Sequence, residues 1–307
     1  MSGGAAGSVV VPGNHDGVHV GHQALLGRAR TLANDRGLEV VALTFDPHPM
    51  VTVAPERAPV PLTTIARRTE LLLAAGADQV AVARFDAAYA AQTAEQWITN
   101  ELSGRLGARA VVVGVDFRFG RGRGGDLAGL RAMGATQGIE VEALGEITLA
   151  GTNERVSSSA VRALLAAGDV VHAAALLTRP HSVDGTVVEG NKRGRTIGFP
   201  TANLVPDPIL LPLDGVYAVR ARTSEGRWLD GVANLGTRPT FAAGRSLEAH
   251  LFEFGGDLYG ARLRLAFIAR IRDEKKFDGV DALVAQIRLD AATARDLLAR
   301  TPRGAEG

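Results

Sequence analysis

Apolar and polar positions follow two rhythms along this chain, and the rhythm changes near residue 180. In the first half, short apolar runs are separated by stretches with helical spacing. Val9, Val10 and Val11 form a run short enough for a buried strand. A turn rich in Gly, Asn and Asp follows it, and then a helical pattern over residues 20–34. Further strands are predicted at 40–45, 79–82 and 109–113, and helices at 66–75 and 94–106. Strands that alternate with helices need crossover connections. The expectation is a parallel sheet covered on both faces, with ligands beyond the C-terminal ends of its strands.

Helical patterns at 156–165 and 170–177 end at Thr178-Arg179-Pro180. From 182 to about 271 the chain reads as short strands punctuated by Gly, Pro, Asn and Asp, among them 215–222, 227–232, 248–253 and 262–271. Many strands with few helices predict an antiparallel barrel. A last helical pattern covers 280–298, and the tail from Thr301 is expected to fray. A length of 307 residues suits two domains, placed at 1–178 and 179–307.

Composition acts mainly by exclusion. The 34 basic and 33 acidic side chains leave a net charge of +1, without the basic excess of a nucleic-acid or membrane-surface binder. There is no cysteine, which removes disulfides, thiolate catalysis and cysteine zinc sites and suits a cytoplasmic protein. The first eight residues lack the pattern of a signal peptide, and no apolar run approaches the roughly 20 residues of a membrane span. Lysine occurs only at Lys192, Lys275 and Lys276, so a lone arginine says little about phosphate binding.

The first chemical candidate lies where the first strand turns into the first helix. Gly13, Asn14, Asp16 and Gly17 precede His19 and His22. A helix start offers free N–H groups and partial positive charge to an anion, and glycine lets the backbone approach it. Two histidines three residues apart share a helix face. They could hold a triphosphate and stabilise charge growing at the α-phosphorus or the departing pyrophosphate. A plain turn with helix-start histidines is the bland alternative. A metal site of His15, His19 and His22 is another, though it lacks the glutamate of hydrolase motifs. No Walker loop occurs. Past the strand at 109–113, Asp116, Arg118, Phe117 and Phe119 could meet a nucleotide or a flat ring, or be ordinary loop residues. Ser157, Ser158 and Ser159 open a helix with Arg162 in its first turns, which is either simple capping or a phosphate clamp.

The second candidate is the stretch 190–204. Gly190, Asn191, Lys192, Arg193, Gly194 and Arg195 form a basic, Gly-rich flap. Gly198, Phe199 and Pro200 then form a turn that leads to Thr201 and Asn203. Two residues apart on extended chain, Thr201 and Asn203 face the same side, and neutral oxygens suit Mg²⁺ shared with substrate phosphates. Farther on, Glu248, His250 and Phe252 alternate onto one face. Glu248 could orient a hydroxyl or accept its proton during phosphoryl transfer, or be a solvated strand residue. His250 receives no role.

Together these segments resemble the bacterial bifunctional riboflavin kinase/FMN adenylyltransferase (FAD synthetase) family over nearly the whole chain. The resemblance is carried by the H-x-G-H core at 19–22 and by Thr44-Phe45-Asp46-Pro47-His48-Pro49. Leu62-Thr63-Thr64, the stretch 114–120, and Ser157-Ser158-Ser159 with Arg162 add to it. So do Gly198-Phe199-Pro200-Thr201-Ala202-Asn203-Leu204, the stretch 233–241, and Glu248 through Gly260. The resemblance implies an α/β doubly wound, Rossmann-like nucleotidyltransferase domain followed by an antiparallel β-barrel riboflavin kinase domain with a C-terminal helix. ATP would phosphorylate riboflavin to FMN in the second half and adenylylate FMN to FAD in the first. His19 and His22 would engage ATP phosphates, and Asp116 would sit in the adenylylation pocket. Ser158 and Arg162 would hold phosphate. Thr201 and Asn203 would bind Mg²⁺ with ATP, and Glu248 would be the base on the ribityl hydroxyl. The partners implied are these small molecules, with neither nucleic acid nor membrane, and a homo-oligomer is left open. Two positions depart from the family pattern: His15 stands where Phe is usual and Ser159 where Thr is usual. Two alternatives stand, of which only the one in the adenylylation half is tied to His15. One is a riboflavin kinase whose N-terminal half has altered nucleotide preference or lost adenylylation. The other is a non-enzymatic flavin-binding regulator.

Overall fold

The computed structural model describes residues 7–190, 194, 197–237 and 245–303, which form two compact units, Met1–Ser158 and Ser159–Gly307.

The first unit is built on a five-stranded parallel sheet. Its strands are β1 (Ser8–Pro12), β2 (Glu39–Asp46), β3 (Gln79–Arg84), β4 (Ala108–Gly114) and β5 (Glu140–Leu144), in the order β3-β2-β1-β4-β5. The helices between them are α1 (Val20–Arg36), α2 (Pro49–Val53), α3 (Ile65–Ala74), α4 (Ala87–Ala90), α5 (Ala94–Trp97) and α6 (Leu127–Thr136). Successive residues of a strand point to opposite faces, so each apolar run feeds two cores. Val9, Val11, Val40, Ala42, Ala110 and Val112 pack with Leu26, Ala29 and Leu72 on one side. Val10, Val41, Leu43, Val111 and Val113 pack with Trp97, Ile98, Leu102 and Leu130 on the other. The chain runs from β1 outward to β2 and β3, then returns to place β4 on the other side of β1. That reversal opens a crevice past the C-terminal ends of β1 and β4.

Two features differ from the expected pattern. The helix predicted at 94–106 is α5 followed by a wider π-helical stretch, Ile98–Arg105, whose looser turn still buries Ile98 and Leu102. The elements α6 and β5 were not predicted. β5 is an edge strand carrying Glu140 and Glu142, and its half-exposed residues give no continuous apolar run.

The second unit is a closed antiparallel barrel. Its strands are β6 (Ser182–Val188), β7 (Ala202–Pro206), β8 (Gly215–Thr223), β9 (Trp228–Thr237), β10 (Arg245–Leu251) and β11 (Arg262–Arg272), in the order β10-β7-β6-β11-β8-β9. Two helices, α7 (Ser158–Ala166) and α8 (Val170–Leu177), precede it. The long α9 (Val280–Arg300) lays Ala291, Ala294 and Leu298 against Val216, Ala218, Val232 and Ile268 of the barrel. Among the described residues no helix is long and apolar enough to cross a membrane.

The far end of α9 is held by one buried side chain. Arg220 of β8 donates to the carbonyls of Leu298 (2.9 Å), Thr301 (2.7 Å) and Pro302 (3.0 Å), and to Asp230 Oδ1 (3.2 Å). A helix C-terminus presents unpaired carbonyls and partial negative charge, and Arg220 answers both. Arg220→Met leaves those carbonyls without this donor. It should lower the stability of the barrel unit by about 3 kcal/mol, read as a shifted urea transition, and an unshifted transition would refute this role for Arg220.

Candidate active sites

The first pocket, about 260 Å³, lies past β1, β4 and β5 and is lined by Gly13, His15, His19, His22, Asp116, Phe117, Glu146, Arg155 and Ser157 among others. Its floor is the loop between β1 and α1. His15, Gly17 and Val18 have φ of +50°, +83° and +44°. The left-handed region is unfavourable for a β-branched residue such as Val18, so the surroundings must impose it. Asp16 supplies the restraint. Its buried carboxylate accepts from the backbone N–H of Leu62 (2.9 Å) and Thr63 (3.2 Å), from Thr63 Oγ1 (3.2 Å) and from Arg68 Nη2 (3.2 Å). The Thr44 hydroxyl donates to the Asn14 carbonyl at 2.9 Å, and Ser158 Oγ donates to the Asp16 carbonyl at 2.8 Å. Asn14 Nδ2 lies 3.2 Å from His48 Nε2, and Gly17 N–H reaches Thr63 Oγ1 at 3.4 Å.

The loop delivers two imidazoles to the start of α1. His19 is the residue at the helix entrance, and its ring stacks on His22 with centroids 3.7 Å apart. No side chain caps α1 and no acidic residue occupies its first turn, so the positive end of the helix is open to an anion. His15 meets His22 edge-on at 5.0 Å. Its Nε2 lies 2.9 Å from the Val11 carbonyl, which can only accept, so the ring proton is on Nε2. The His15 pKa is lowered to about 4, chiefly by burial, with the Val11 bond opposing the shift and nearby Arg68 adding to it. His15 is thus a neutral ring that fills its position largely as an apolar one would. Among the described residues no group of three or more acidic or histidine side chains is arranged to hold a metal ion.

Of the residues singled out from the sequence, Gly13, His19, His22 and Asp116 line this pocket together. Asn14, Asp16, Gly17 and Ser158 build the loop behind it, and the Asp16 carboxylate is committed to that loop rather than offered to a ligand. Asp116 stands at the rim with its side chain 70% exposed, paired with Arg155 at 2.9 Å. Phe117 lines the pocket, whereas Phe119 is buried against Trp97. Arg162 is on α7, one turn past Ser158. Glu146 and Arg155 were missed by the sequence reading, and no motif marks the segment that carries them.

The second pocket, about 330 Å³, belongs to the barrel unit. Gly194, Phe199, Thr201, Glu248 and His250 line it with Val216 and Val232. The turn that leads into β7 is closed by Phe199 N–H donating to the Gly194 carbonyl at 2.8 Å. Gly198 has φ +86°, a conformation that favours glycine. His250, which the sequence left without a role, ties this turn to β10, with its Nδ1 2.8 Å from the Pro200 carbonyl and its ring edge-on to Phe199. Asn203 on β7 is buried and pairs in register with Glu248 on β10, and its amide lies so close to Gly190 that any side chain there would clash. Glu248 accepts a hydrogen bond from Ser246 Oγ at 3.1 Å. Thr201 also lines a smaller cavity with Pro200, Asp257 and Tyr259, so this one residue forms part of two adjoining walls. Arg195 lies outside the described residues, as do Asn191, Lys192, Arg193 and residues 238–244. The sequence reading missed the part of the lining made by Arg272, Glu274, Lys275, Phe277, Leu283, Ile287 and Asp290. Two signals were present: Lys275 is one of only three lysines, and Leu283 and Ile287 are one helical turn apart.

An imidazole pair at a helix start on a parallel α/β sheet, joined in one chain to a barrel pocket lined by the Thr201 hydroxyl and the Glu248 carboxylate, defines a two-domain nucleotide-dependent transferase. Residues 3–160 match the FAD synthetase family and residues 177–298 the riboflavin kinase family. The chain belongs to the bifunctional riboflavin kinase/FMN adenylyltransferase family. The Escherichia coli K12 protein of that name is 40% identical over 296 residues, covering 96% of this chain and 94% of its own. That of Bacillus subtilis is 37% identical, covering 94% and 92%. A crystal structure described as a macrolide-efflux protein from Streptococcus pneumoniae superposes with a TM-score of 0.87 at 31% identity, covering 96% and 95%.

The buried His15 makes the first unit sensitive to acid. Above pH 6.5 the residue is neutral whether the chain is folded or not. Below it the unfolded chain takes up a proton that the folded chain refuses until about pH 4, so stability falls across that window. His15→Phe should remove roughly 3 kcal/mol of the loss between pH 7 and pH 4. Urea unfolding of both proteins across this range measures it, and parallel pH profiles would contradict it.

Proposed function

We propose that the first pocket transfers the adenylyl group of ATP to FMN and that the barrel pocket transfers the γ-phosphoryl group of ATP to riboflavin, with the division of labour at about 1–178 and 179–307. In the first reaction an FMN phosphate oxygen attacks the α-phosphorus of ATP, and pyrophosphate departs. The stacked His19 and His22 beside the open start of α1 give donors where negative charge grows. Gly13, Asn14 and Gly17 shape the backbone around the phosphates, and Asp16 acts by holding the loop. Asp116 belongs to the rim of the adenylylation site, and Ser158 and Arg162 are assigned to holding phosphate.

In the second reaction the ribityl 5′-hydroxyl attacks the γ-phosphorus while its proton passes to the Glu248 carboxylate, and ADP leaves. Gly194, Arg195, Gly198, Phe199 and Pro200 form the flap and turn over the two substrates. The observation that carries this reading is that Thr201 lines both adjoining cavities, one broad and partly apolar with Glu248 in its wall, the other small. A flat flavin suits the first, and the second, about 70 Å³, suits a phosphate group of the nucleotide. Thr201 stands at that junction and Asn203 follows it two residues on in β7, and both carry neutral oxygens. They fit Mg²⁺, which takes few protein ligands and completes its shell with phosphates and water. When bound, the ion would offset phosphate charge; the protein's own part is to place the hydroxyl, hold the phosphates and accept the proton. The balanced charge and the lack of cysteine support a cytoplasmic enzyme of small molecules, without nucleic-acid or membrane partners.

Incubation with riboflavin, ATP and Mg²⁺, followed by separation of the flavins, should give FMN and then FAD. His22→Ala should cut FAD formation by about 100-fold or more while sparing FMN formation. Glu248→Ala should abolish FMN formation but leave adenylylation of supplied FMN intact. Loss of both activities from either change in a folded protein would defeat the assignment.

A further inference from the structure

Part of the lining of the barrel pocket lies outside the barrel strands. It is made by the loop after β11, with Glu274, Lys275 and Phe277, and by Leu283 and Ile287 of α9. A loop and a helix flank are easily displaced unless something fixes their distance from the strands. Asp290 provides a fixed point. It lies on α9, is only 4% exposed, and accepts from Arg272 Nε (2.9 Å) and Nη2 (2.6 Å) and from Gln286 Nε2 (2.9 Å). Arg272 ends β11, where the ladder with β8 shifts register between Arg270 and Arg272. Its remaining Nη1 donates to the Asp273 carbonyl at 2.7 Å, and its guanidinium stands 5.9 Å from the Phe277 ring centroid. One planar cation thus joins the strand end, the loop and the helix. The fork geometry fixes direction as well as distance, and separating two largely buried charges is costly.

We propose that Arg272 and Asp290 are a positioning pair for riboflavin phosphorylation, holding the apolar flank of α9 at the spacing a flavin ring requires in the pocket that Glu248 also lines. The proposal rests on the reading of this cavity as the riboflavin site. Neither residue moves a proton or a phosphoryl group, so their loss acts on flavin affinity and leaves the chemical step.

The test uses the full chain. Riboflavin affinity is measured by fluorescence quenching without ATP, and kcat and KM by FMN formation. Adenylylation of supplied FMN reports that the first unit is folded, and a cooperative urea transition reports that the barrel unit is. Arg272→Met and Asp290→Leu should each weaken riboflavin binding by about tenfold with kcat within about threefold. The double variant should bind better than either single variant, because no uncompensated buried charge remains. Arg272→Lys should not restore affinity, since an ammonium cannot make the fork. Asp290→Asn, a milder change for use if the others fail to fold, should weaken binding by about threefold. Wild-type affinity in the variants that fold would overturn the proposal. So would losses that multiply in the double variant, as expected if each residue touched the flavin directly, or a fall in kcat at unchanged KM. Glu248→Ala separates this from the reading beneath it: a variant that still phosphorylates riboflavin normally defeats the site assignment itself, whatever the pair does.

Discussion

The first pocket depends on a carboxylate whose hydrogen bonds all go to the protein behind it. Asp16 is surrounded by donors from Leu62, Thr63 and Arg68, and this enclosure pins a loop whose backbone passes through the left-handed region at three positions. An unpaired buried carboxylate would be strongly unfavourable, so the loop and the segment that supplies the donors must form together. The result is that α1 begins at one defined place with one defined pair of rings. Phosphate recognition requires donors that are already oriented, and for the proposed phosphate site Asp16 would achieve this from outside the pocket.

The barrel reaches a comparable end by different means. Closure leaves no free edge, and the register that sets Asn203 opposite Glu248 is fixed by pairing along both neighbours of β7. The turn before β7 is then secured from the side by His250. In both units the residues that would meet phosphate are neutral or cationic, while the carboxylates nearby are either engaged by internal donors or set in the wall where a hydroxyl would lie.

The sequence made visible what is local. His19 and His22 could be paired from their spacing because three residues on a helix start bring two rings together whatever surrounds them. The parallel sheet was legible because β1, β2 and β4 are continuous apolar runs, and the barrel because its strands are short and regularly punctuated. Longer-range arrangement was not legible. Nothing in the neighbourhood of Asp16 says that its partners lie some fifty residues away on Thr63 and Arg68, and it was read as a ligand-binding residue for that reason. The edge strand β5 carries alternating glutamates and so lacks the signal of its buried neighbours. The wall supplied by Arg272, Phe277 and α9 comes from segments distant from the Gly198–Asn203 motif in sequence, and only the closed barrel brings them to it.

Thr201 belongs to the walls of two cavities at once. Ligands in them are therefore not thermodynamically independent: whatever displaces the short turn ending at Thr201 to suit one occupant alters the space offered to the other. Such coupling is reciprocal, and the factor by which nucleotide changes flavin affinity equals the factor by which flavin changes nucleotide affinity. A single threonine at a shared partition gives this enzyme a route to ordered substrate addition without any large movement.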